Sequence, residues 1–363
     1  MGVITPGKQR HGCPGWIGLA DGVLEYRVIR FRHYAWGAGL GVILVLLVTG
    51  CTAARSAADE TGGGYDASGN LLMLPELAAV DLGGEKLRVV TTTSIIGDVV
   101  GQVGGKAIEL TTLIESGQDP HTFEPAAGQM TAVANADVIF VNGWDLEEGL
   151  IGDLANIANN VPLVPLSAGI KPLFLEQDGG GQVGTIDPHV WLDPHLVREW
   201  VKNIETLLSD LDPANAAVYE RNSANYLTEL NNLIDYADRQ IETIPAGRRK
   251  LVTNHDAFGY FARAYDFEIV GLVIPATSTI AEPSSGDLVR LIDQMREANV
   301  CIIFVENTKN TQLAETVVAE LEGCAEVQVI PLFSGALGPV GSDANSYLGM
   351  MKANIDAIVA GVN

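Results

Sequence analysis

The sequence LRVVTTTSIIGDVVGQVGGKAIELTTLI, residues 87–114, contains one complete strand–helix–strand pattern. Short runs rich in Val, Ile and Thr stand at both ends, and an amphipathic stretch of helical length lies between them. This alternation is typical of a βαβ unit, in which two parallel strands belong to one sheet. The stretch therefore predicts an α/β fold.

The same alternation continues on both sides of one long helical segment. Strand-like runs such as DVIFVN and VPLVPL precede it, and KLVTN, CIIFV and EVQVIPL follow it, separated by helical patterns. Residues 213–245 carry apolar side chains at helical spacing, with Pro only at the two ends. We predict two Rossmann-like lobes of about four βα units each, 84–212 and 246–363, joined by one long rigid helix at 213–245.

The charge balance excludes one broad class of partner. The 363 residues are 47% hydrophobic, which is a globular composition, and 45 Asp and Glu outnumber 22 Lys and Arg. The formal net charge is −23. Because nucleic-acid binding depends on clustered basic charge, we expect no nucleic-acid partner.

The first 50 residues have the pattern of an export signal. Three Arg precede the uncharged stretch AWGAGLGVILVLLVTG, residues 35–50, which is shorter than the roughly 20 residues needed to span a bilayer. Small residues followed by Cys51 resemble the bacterial lipobox, so we expect 1–50 to be a lipoprotein signal peptide and Cys51 to carry the lipid. An ordinary signal anchor with an incidental Cys is the alternative.

Residues 51–83 follow this predicted lipid anchor and begin with a run rich in Ala, Ser, Gly and Thr. Such a composition does not form a core, so we expect a flexible tether between the anchor and the lobes. Residues 1–50 hold five Lys and Arg and two Asp and Glu, so their removal leaves a net charge of −26. The sequence thus predicts an acidic exported protein that faces the extracellular or periplasmic side of the membrane.

Two cysteines remain in the predicted C-terminal lobe. Cys301 opens the strand-like run CIIFV, and Cys324 comes just before EVQVIPL. If these two strands are parallel neighbours, both thiols lie at the same end of the sheet. Export permits disulfides, so we predict a Cys301–Cys324 bridge.

Three of the four histidines after residue 50 follow strand-like runs in the two lobes. His121 lies in DPHTFEP, His189 in DPHVWLDP and His255 in TNHDAF. Ligands of open parallel sheets bind beyond the carboxyl ends of the strands, so we expect the three rings in the cleft between the lobes. Imidazole is a favoured ligand of zinc and related divalent ions, which predicts a metal site there.

Each of these histidines has a nearby carboxylate in the sequence, namely Asp119, Asp187 and Asp256 respectively. A metal-bound His usually donates its second ring N–H to such an acceptor, which fixes the ring. The alternative is that each His caps a helix or bonds a backbone carbonyl. The fourth, His195, follows Asp193-Pro194 at a predicted helix start, and we expect it to be exposed, with metal capture as the alternative.

Several motifs together resemble those of one transporter family. TTTSIIGDVVGQVGG, GQDPHTFEP, ADVIFVNG, DPHVWLDP, TNHDAFGYFARAY and SYLGMMKANIDAI resemble motifs of the zinc/manganese-type (cluster A-I) substrate-binding lipoproteins of ABC transporters. The resemblance implies one buried divalent metal between two lobes and delivery of that metal to a membrane permease. It also implies that His121, His189 and His255 are metal ligands.

One position departs from the pattern of that family. The resemblance implies an Asp as the last ligand, in the loop LFSGALGPVGSDANSY, but the matching residue here is Gly335. Glu306 and Asp343 are candidate substitutes, and a water molecule is another. Each of these two carboxylates would otherwise cap a following helix. Three imidazoles without a carboxylate favour zinc, with manganese as the alternative.

The sequence therefore predicts a monomeric, non-catalytic receptor that captures a divalent metal and delivers it to an ABC permease and its ATPase. A zinc metallohydrolase is an alternative, because three His and a water also form the ligand set of zinc enzymes. A surface adhesin or metallochaperone on the same fold is another.

Overall fold

The structure is a computed structural model that describes residues 71–147, 149–157, 161–174, 185–308, 311–324 and 326–362. All of these residues belong to one compact unit, Ser56–Asn363. The predicted signal peptide and lipidation site, Cys51, lie outside the described residues.

The N-terminal lobe contains a four-stranded parallel sheet. Its strands are β1 (Leu87–Thr93), β2 (Ile108–Ile114), β3 (Val138–Val141) and β4 (Leu163–Pro165), in the order β2-β1-β3-β4. Helices α1 (Ser94–Gly104), α2 (Ala127–Ala134) and α3 (Ile151–Ile157) lie between successive strands. The βαβ pattern predicted from residues 87–114 is thus the centre and one edge of this sheet.

Two short strands that the sequence pattern does not predict follow the first sheet. Strands β5 (Leu173–Phe174) and β6 (Ile186–Asp187) pair antiparallel, and β6 leads directly into the second Asp-Pro-His motif. Strands of two residues are too short to show a period-2 pattern in the sequence. This small ladder nevertheless fixes the base of the loop that carries His189.

The last helix of the N-terminal lobe leads into one long helix that connects the two lobes. Helix α4 (Pro194–Leu211) begins where predicted, with Asp193 accepting a hydrogen bond from the backbone N–H of His195. A short 3-10 turn, Pro213–Asn215, separates it from α5 (Ala216–Ile241), a single helix of 26 residues. At 1.5 Å per residue α5 is about 39 Å long. It is shorter than the predicted 213–245 because the first three residues form the 3-10 turn and the helix ends at Ile241.

The C-terminal lobe repeats the architecture of the first. Its parallel sheet contains β7 (Lys250–Thr253), β8 (Glu268–Leu272), β9 (Ile302–Glu306) and β10 (Gln328–Leu332), in the order β10-β9-β7-β8. Helices α6 (Gly259–Tyr265), α7 (Ser285–Ala298) and α8 (Gln312–Glu320) connect these strands, and α9 (Tyr347–Val362) follows the last one. The fold is α/β with two parallel-sheet lobes, as predicted.

One hydrophobic core extends through both lobes. The largest cluster of buried side chains contains Leu87 and Trp200 from the N-terminal lobe together with Phe261, Tyr347 and Ile358 from the C-terminal lobe. Two smaller clusters cover the other faces of the two sheets. The lobes are therefore packed against each other through a shared interior rather than connected only by a helix.

The described part of the segment expected to be a tether packs against the lobes. Leu72 is buried, and Leu74, Leu77, Val80 and Leu82 pack against the large core. The backbone N–H of Val80 also donates to the carbonyl of Leu211 over 2.9 Å. Residues 71–82 are therefore not part of a free tether, because they supply apolar surface that is buried.

Cys301 and Cys324 form a disulfide, with 5.8 Å between their Cα atoms. Cys301 immediately precedes β9, and β10 is the parallel neighbour of β9. The backbone N–H of Gln328 donates to the carbonyl of Cys301, which aligns the starts of the two strands.

Among the described residues, no helix has both the length and the apolar character that a membrane span needs.

Candidate metal centre

The three histidines singled out from the sequence come together between the two sheets. Nε2 of His189 lies 3.3 Å from Nε2 of His121 and 3.2 Å from Nε2 of His255. All three side chains are buried. Within the described residues, they form a group whose potential ligand atoms all lie within 4.8 Å of one another.

The Asp-Pro-His sequence forms the same turn at each of its occurrences. The Asp119 carboxylate accepts a hydrogen bond from the backbone N–H of His121 over 3.0 Å, and Asp187 accepts one from the backbone N–H of His189 over 2.9 Å. Asp193 does the same for His195. Asp side chains commonly bond the backbone two residues on, and Pro restricts the chain between, so the turn presents the His from a stiff loop.

His195 shares this turn but does not join the other rings. Its Nδ1 lies 2.9 Å from Oδ1 of Asp193, and 44% of its side chain is exposed at the start of α4. Its direction follows the helix, away from the group of three. The structure therefore gives it the exposed position expected from the sequence.

Carboxylates fix two of the three converging rings. Nδ1 of His189 lies 2.8 Å from Oδ1 of Asp187, and Nδ1 of His255 contacts Oε1 of Glu306. A carboxylate oxygen is an acceptor, so the ring proton of each His sits on Nδ1 and the lone pair on Nε2. This is the arrangement that orients a metal-bound His.

Two of the carboxylates predicted to bond the histidine rings do not do so. Glu306, rather than Asp256, bonds the ring of His255, because β9 lies beside β7 and brings Glu306 to the same sheet edge. Asp119 bonds the backbone of His121 rather than its ring. Nδ1 of His121 has no hydrogen-bond partner in the described part of the chain.

Glu306 and Asp343, the two carboxylates considered as a fourth ligand, do not belong to the group of three. Glu306 is occupied at the other nitrogen of His255, and its second oxygen accepts from the Thr308 hydroxyl over 3.2 Å. Asp343 is exposed and outside the group of three. Gly335 lies directly against the loop of His121, since a Cβ at this glycine would lie 2.9 Å from Cδ of Pro120.

Burial favours the neutral forms of two of the three rings and of Asp187. It lowers the pKa of His121 to about 3, helped by the two neighbouring rings, and lowers the pKa of His189 as well. Burial also raises the pKa of Asp187 to about 7. For Glu306, burial raises the pKa, but the electrostatic attraction and the hydrogen bond between it and His255 outweigh burial and leave the pKa below its usual value.

These features together describe a cation site. The lone pairs of His189 and His255 face each other over 3.2 Å, where they repel unless a cation lies between them. Zinc–nitrogen bonds of 2.0–2.1 Å in a tetrahedron place the nitrogens about 3.3–3.4 Å apart. The two measured Nε2 separations, 3.2 and 3.3 Å, are close to that spacing.

Sequence reasoning missed one residue beside this site. The Thr279 hydroxyl, from the loop between β8 and α7, donates to Oδ2 of Asp119 over 2.6 Å, and both side chains are buried. The loop has no periodic pattern, and nothing in a single sequence distinguishes Thr279 from Thr277 or Ser278 beside it.

The family model described as "Zinc-uptake complex component A periplasmic", ZnuA, matches residues 89–361. The chain belongs to the ZnuA family. This match spans both sheets and all three converging histidines. It confirms the family resemblance found in the motifs. The chain is therefore a metal-binding ABC transporter substrate-binding protein rather than an enzyme.

Two relatives of this ZnuA-family chain are named for manganese. It is 33% identical over 321 residues to the manganese-binding lipoprotein MntA of Halalkalibacterium halodurans, covering 88% of this chain and 97% of MntA. It is 32% identical to the manganese ABC transporter substrate-binding lipoprotein PsaA of Streptococcus pneumoniae over 287 residues, covering 77% of this chain and 90% of PsaA.

Among solved structures, the periplasmic zinc binding protein TroA of Treponema pallidum is similar, with a TM-score of 0.70 and 33% identity. The similarity covers 76% of this chain and 99% of TroA.

Proposed function

We propose that this protein captures one zinc ion at His121, His189 and His255 and delivers it to an ABC importer. The observation that carries the proposal is the convergence of three Nε2 atoms from buried rings on both lobes. Two of these rings are held by carboxylates at their other nitrogen, which favours metal binding through Nε2. The partners would be the permease and its ATPase.

The donor atoms favour zinc over manganese. Imidazole nitrogen suits zinc, whereas carboxylate, carbonyl and water oxygens suit manganese, and the group of three contains no carboxylate ligand. Water is the proposed fourth ligand, since neither Glu306 nor Asp343 belongs to the group. Manganese is the second candidate, because MntA and PsaA are both named for it.

Metal analysis of the full chain purified without added metal tests this function. We expect one zinc per chain, and loss of that zinc in His121→Ala and His189→Ala. His195→Ala is the matched control, because the same Asp-Pro-His turn places its ring half-exposed and outside the group. Equal zinc content in all three variants would contradict the site, and manganese in preference to zinc would reverse the order of the two metals.

We further propose that the protein acts outside the cytoplasm from a lipid on Cys51. The support is the lipobox-like end of the predicted signal, together with relatives that are named lipoproteins. Mass analysis of the membrane-extracted chain should find a lipidated Cys51 at its N-terminus. In a Cys51→Ala variant the protein should leave the membrane fraction, and retention there would contradict the anchor.

A single rigid helix and a shared core argue against a wide hinge between the lobes. Metal release would then depend on small lobe shifts and on the motion of loops.

A further inference from the structure

A carboxylate connects the loop of His121 to the C-terminal lobe. Oδ1 of Asp119 accepts from the backbone N–H of His121 over 3.0 Å, and Oδ2 accepts from the Thr279 hydroxyl over 2.6 Å. The carboxylate therefore stands between a predicted metal ligand on one lobe and a hydroxyl on the other. Both Asp119 and Thr279 are buried, which strengthens hydrogen bonds to a charged group.

His189 is attached to the C-terminal lobe much more firmly. Two residues further on, the indole N–H of Trp191 donates to the carbonyl of Ser334 over 2.7 Å. The Tyr347 hydroxyl donates to the carbonyl of Trp191, also over 2.7 Å. These bonds are buried in the shared core, so His189 and His255 are held on one framework.

His121 lacks comparable support. Its loop follows β2, the edge strand of the N-terminal sheet, and Phe123 of that loop packs against a separate, smaller hydrophobic cluster. Its ring has no carboxylate at Nδ1 within the described residues, unlike the other two rings. The Asp119 turn is thus a polar restraint on the position of His121 that the carboxylate shares with Thr279.

The partner of Asp119 lies on a loop with free space beside it. Thr279 and its neighbours Ile280 to Pro283 line a cavity of about 210 Å³, together with Asn254, Ile274 and Leu313. The side chain of Ile280 is 56% exposed. The cavity leaves room on that side for the loop to shift if the hydrogen bond to Asp119 breaks.

We infer that Thr279 is a positioning residue that holds the His121 loop over the metal and sets the rate at which the metal leaves. Breaking its bond to Asp119 releases His121 first, while His189 and His255 stay together. The inference rests on the proposed zinc site but assigns the control of release to one hydroxyl on the opposite lobe.

The test is the zinc dissociation rate of the full chain, measured by stopped flow into excess chelator. Thr279→Val removes the hydroxyl and keeps the shape, and Thr279→Ala removes it with less bulk. We expect both to lose zinc about tenfold faster than the wild type, which corresponds to about 1.4 kcal/mol. Thr279→Ser, which restores the hydroxyl, should lose zinc within about twofold of the wild-type rate.

Thr277→Val is the matched control, since it makes the same chemical change two residues earlier in the same loop. It should release zinc at the wild-type rate. An unchanged rate in both Thr279→Val and Thr279→Ala would overturn the inference, as would a Ser variant as fast as the Val variant. A wild-type chain that holds no zinc would instead overturn the proposed function, and the inference with it.

Discussion

Glu306 contacts Nδ1 of His255 from the end of a neighbouring strand, although Asp256 is the carboxylate next to His255 in the sequence. The contact arises because β9 and β7 are adjacent and parallel, so their carboxyl ends meet. An acceptor at Nδ1 orients the ring and makes Nε2 a better ligand. Glu306 therefore orients His255, one of the three rings proposed to bind the metal.

The first prediction follows from this contact. Glu306→Gln should weaken zinc binding by about tenfold or more, because removal of such a partner typically costs 10–100-fold in affinity. Asp256→Asn is the control and should bind zinc as the wild type does, because the ring of His255 faces Glu306. Competition titration against a chelator measures both, and a larger loss in Asp256→Asn would reverse the assignment.

A second prediction concerns a glycine at the start of α6. A Cβ at Gly259 would lie 2.7 Å from Oδ2 of Asp187 and 2.8 Å from Cδ2 of Leu173. Gly259→Ala should displace Asp187, the carboxylate that holds His189, and so weaken zinc binding several-fold and lower the Tm.

The control for this prediction is Gly286→Ala, in the first turn of α7. A Cβ there would have only the Ser284 hydroxyl as a close neighbour, at 3.6 Å. Since Ala is a better helix former than Gly by about 1 kcal/mol, this variant should raise the Tm and leave zinc binding unchanged. Unchanged zinc binding in Gly259→Ala would show that Asp187 tolerates the shift.

The third prediction separates stability from metal binding. The Cys301–Cys324 bridge spans 23 residues in sequence, and closing a loop of that size stabilises a fold by about 3 kcal/mol in the chain-entropy model. A Cys301→Ser, Cys324→Ser double variant should lose about that much free energy of unfolding in denaturant.

Zinc affinity of the double variant should stay at the wild-type value. The bridge lies at the start of β9, whereas Glu306 ends that strand, about 16 Å away at the rise of a β-strand. A loss of zinc affinity that accompanies the loss of stability would contradict this separation.

A fourth prediction uses the buried carboxyl of Glu147. Its Oε1 accepts from the Thr92 hydroxyl over 2.6 Å and from the backbone N–H of Asn142 over 2.8 Å, and burial raises its pKa. The folded chain therefore favours the protonated form. Its contribution to stability is complete below the unfolded pKa of about 4.5 and is lost as the pH rises through the folded pKa.

Glu147→Gln removes this dependence, because Gln keeps the accepting oxygen and cannot ionise. The variant should match the wild type in free energy of unfolding near pH 4 and exceed it at pH 7. Denaturant unfolding of the metal-free proteins across that range gives the comparison. A variant that is less stable than the wild type at pH 7 would mean that the ionised carboxylate is favoured.

The sequence was sufficient for the fold and for the choice of the three histidines that converge. Hydrophobic runs of strand length marked the strands of both sheets, and the three histidines followed such runs or the loops after them. The parallel pairing of β9 and β10 also brings Cys301 and Cys324 to one end of the sheet. These features depend on local pattern and on chain order, which a sequence contains.

The supporting contacts depended on strand order, which the sequence does not contain. Glu306 is a candidate ligand by type, but only the adjacency of β9 and β7 directs it to Nδ1 of His255. Thr279 meets Asp119 across 160 residues of sequence, in a loop without a pattern. Tertiary neighbours of this kind follow from how the sheets are assembled, so single-sequence reasoning did not find them.

The shared interior has a consequence for how this receptor can be engineered. Trp200 and Tyr347 belong to one buried cluster although they come from opposite lobes. Either half expressed by itself would expose that apolar surface to water and aggregate. A split biosensor or a swap of lobes between relatives would therefore require redesign of the whole buried interface between the lobes.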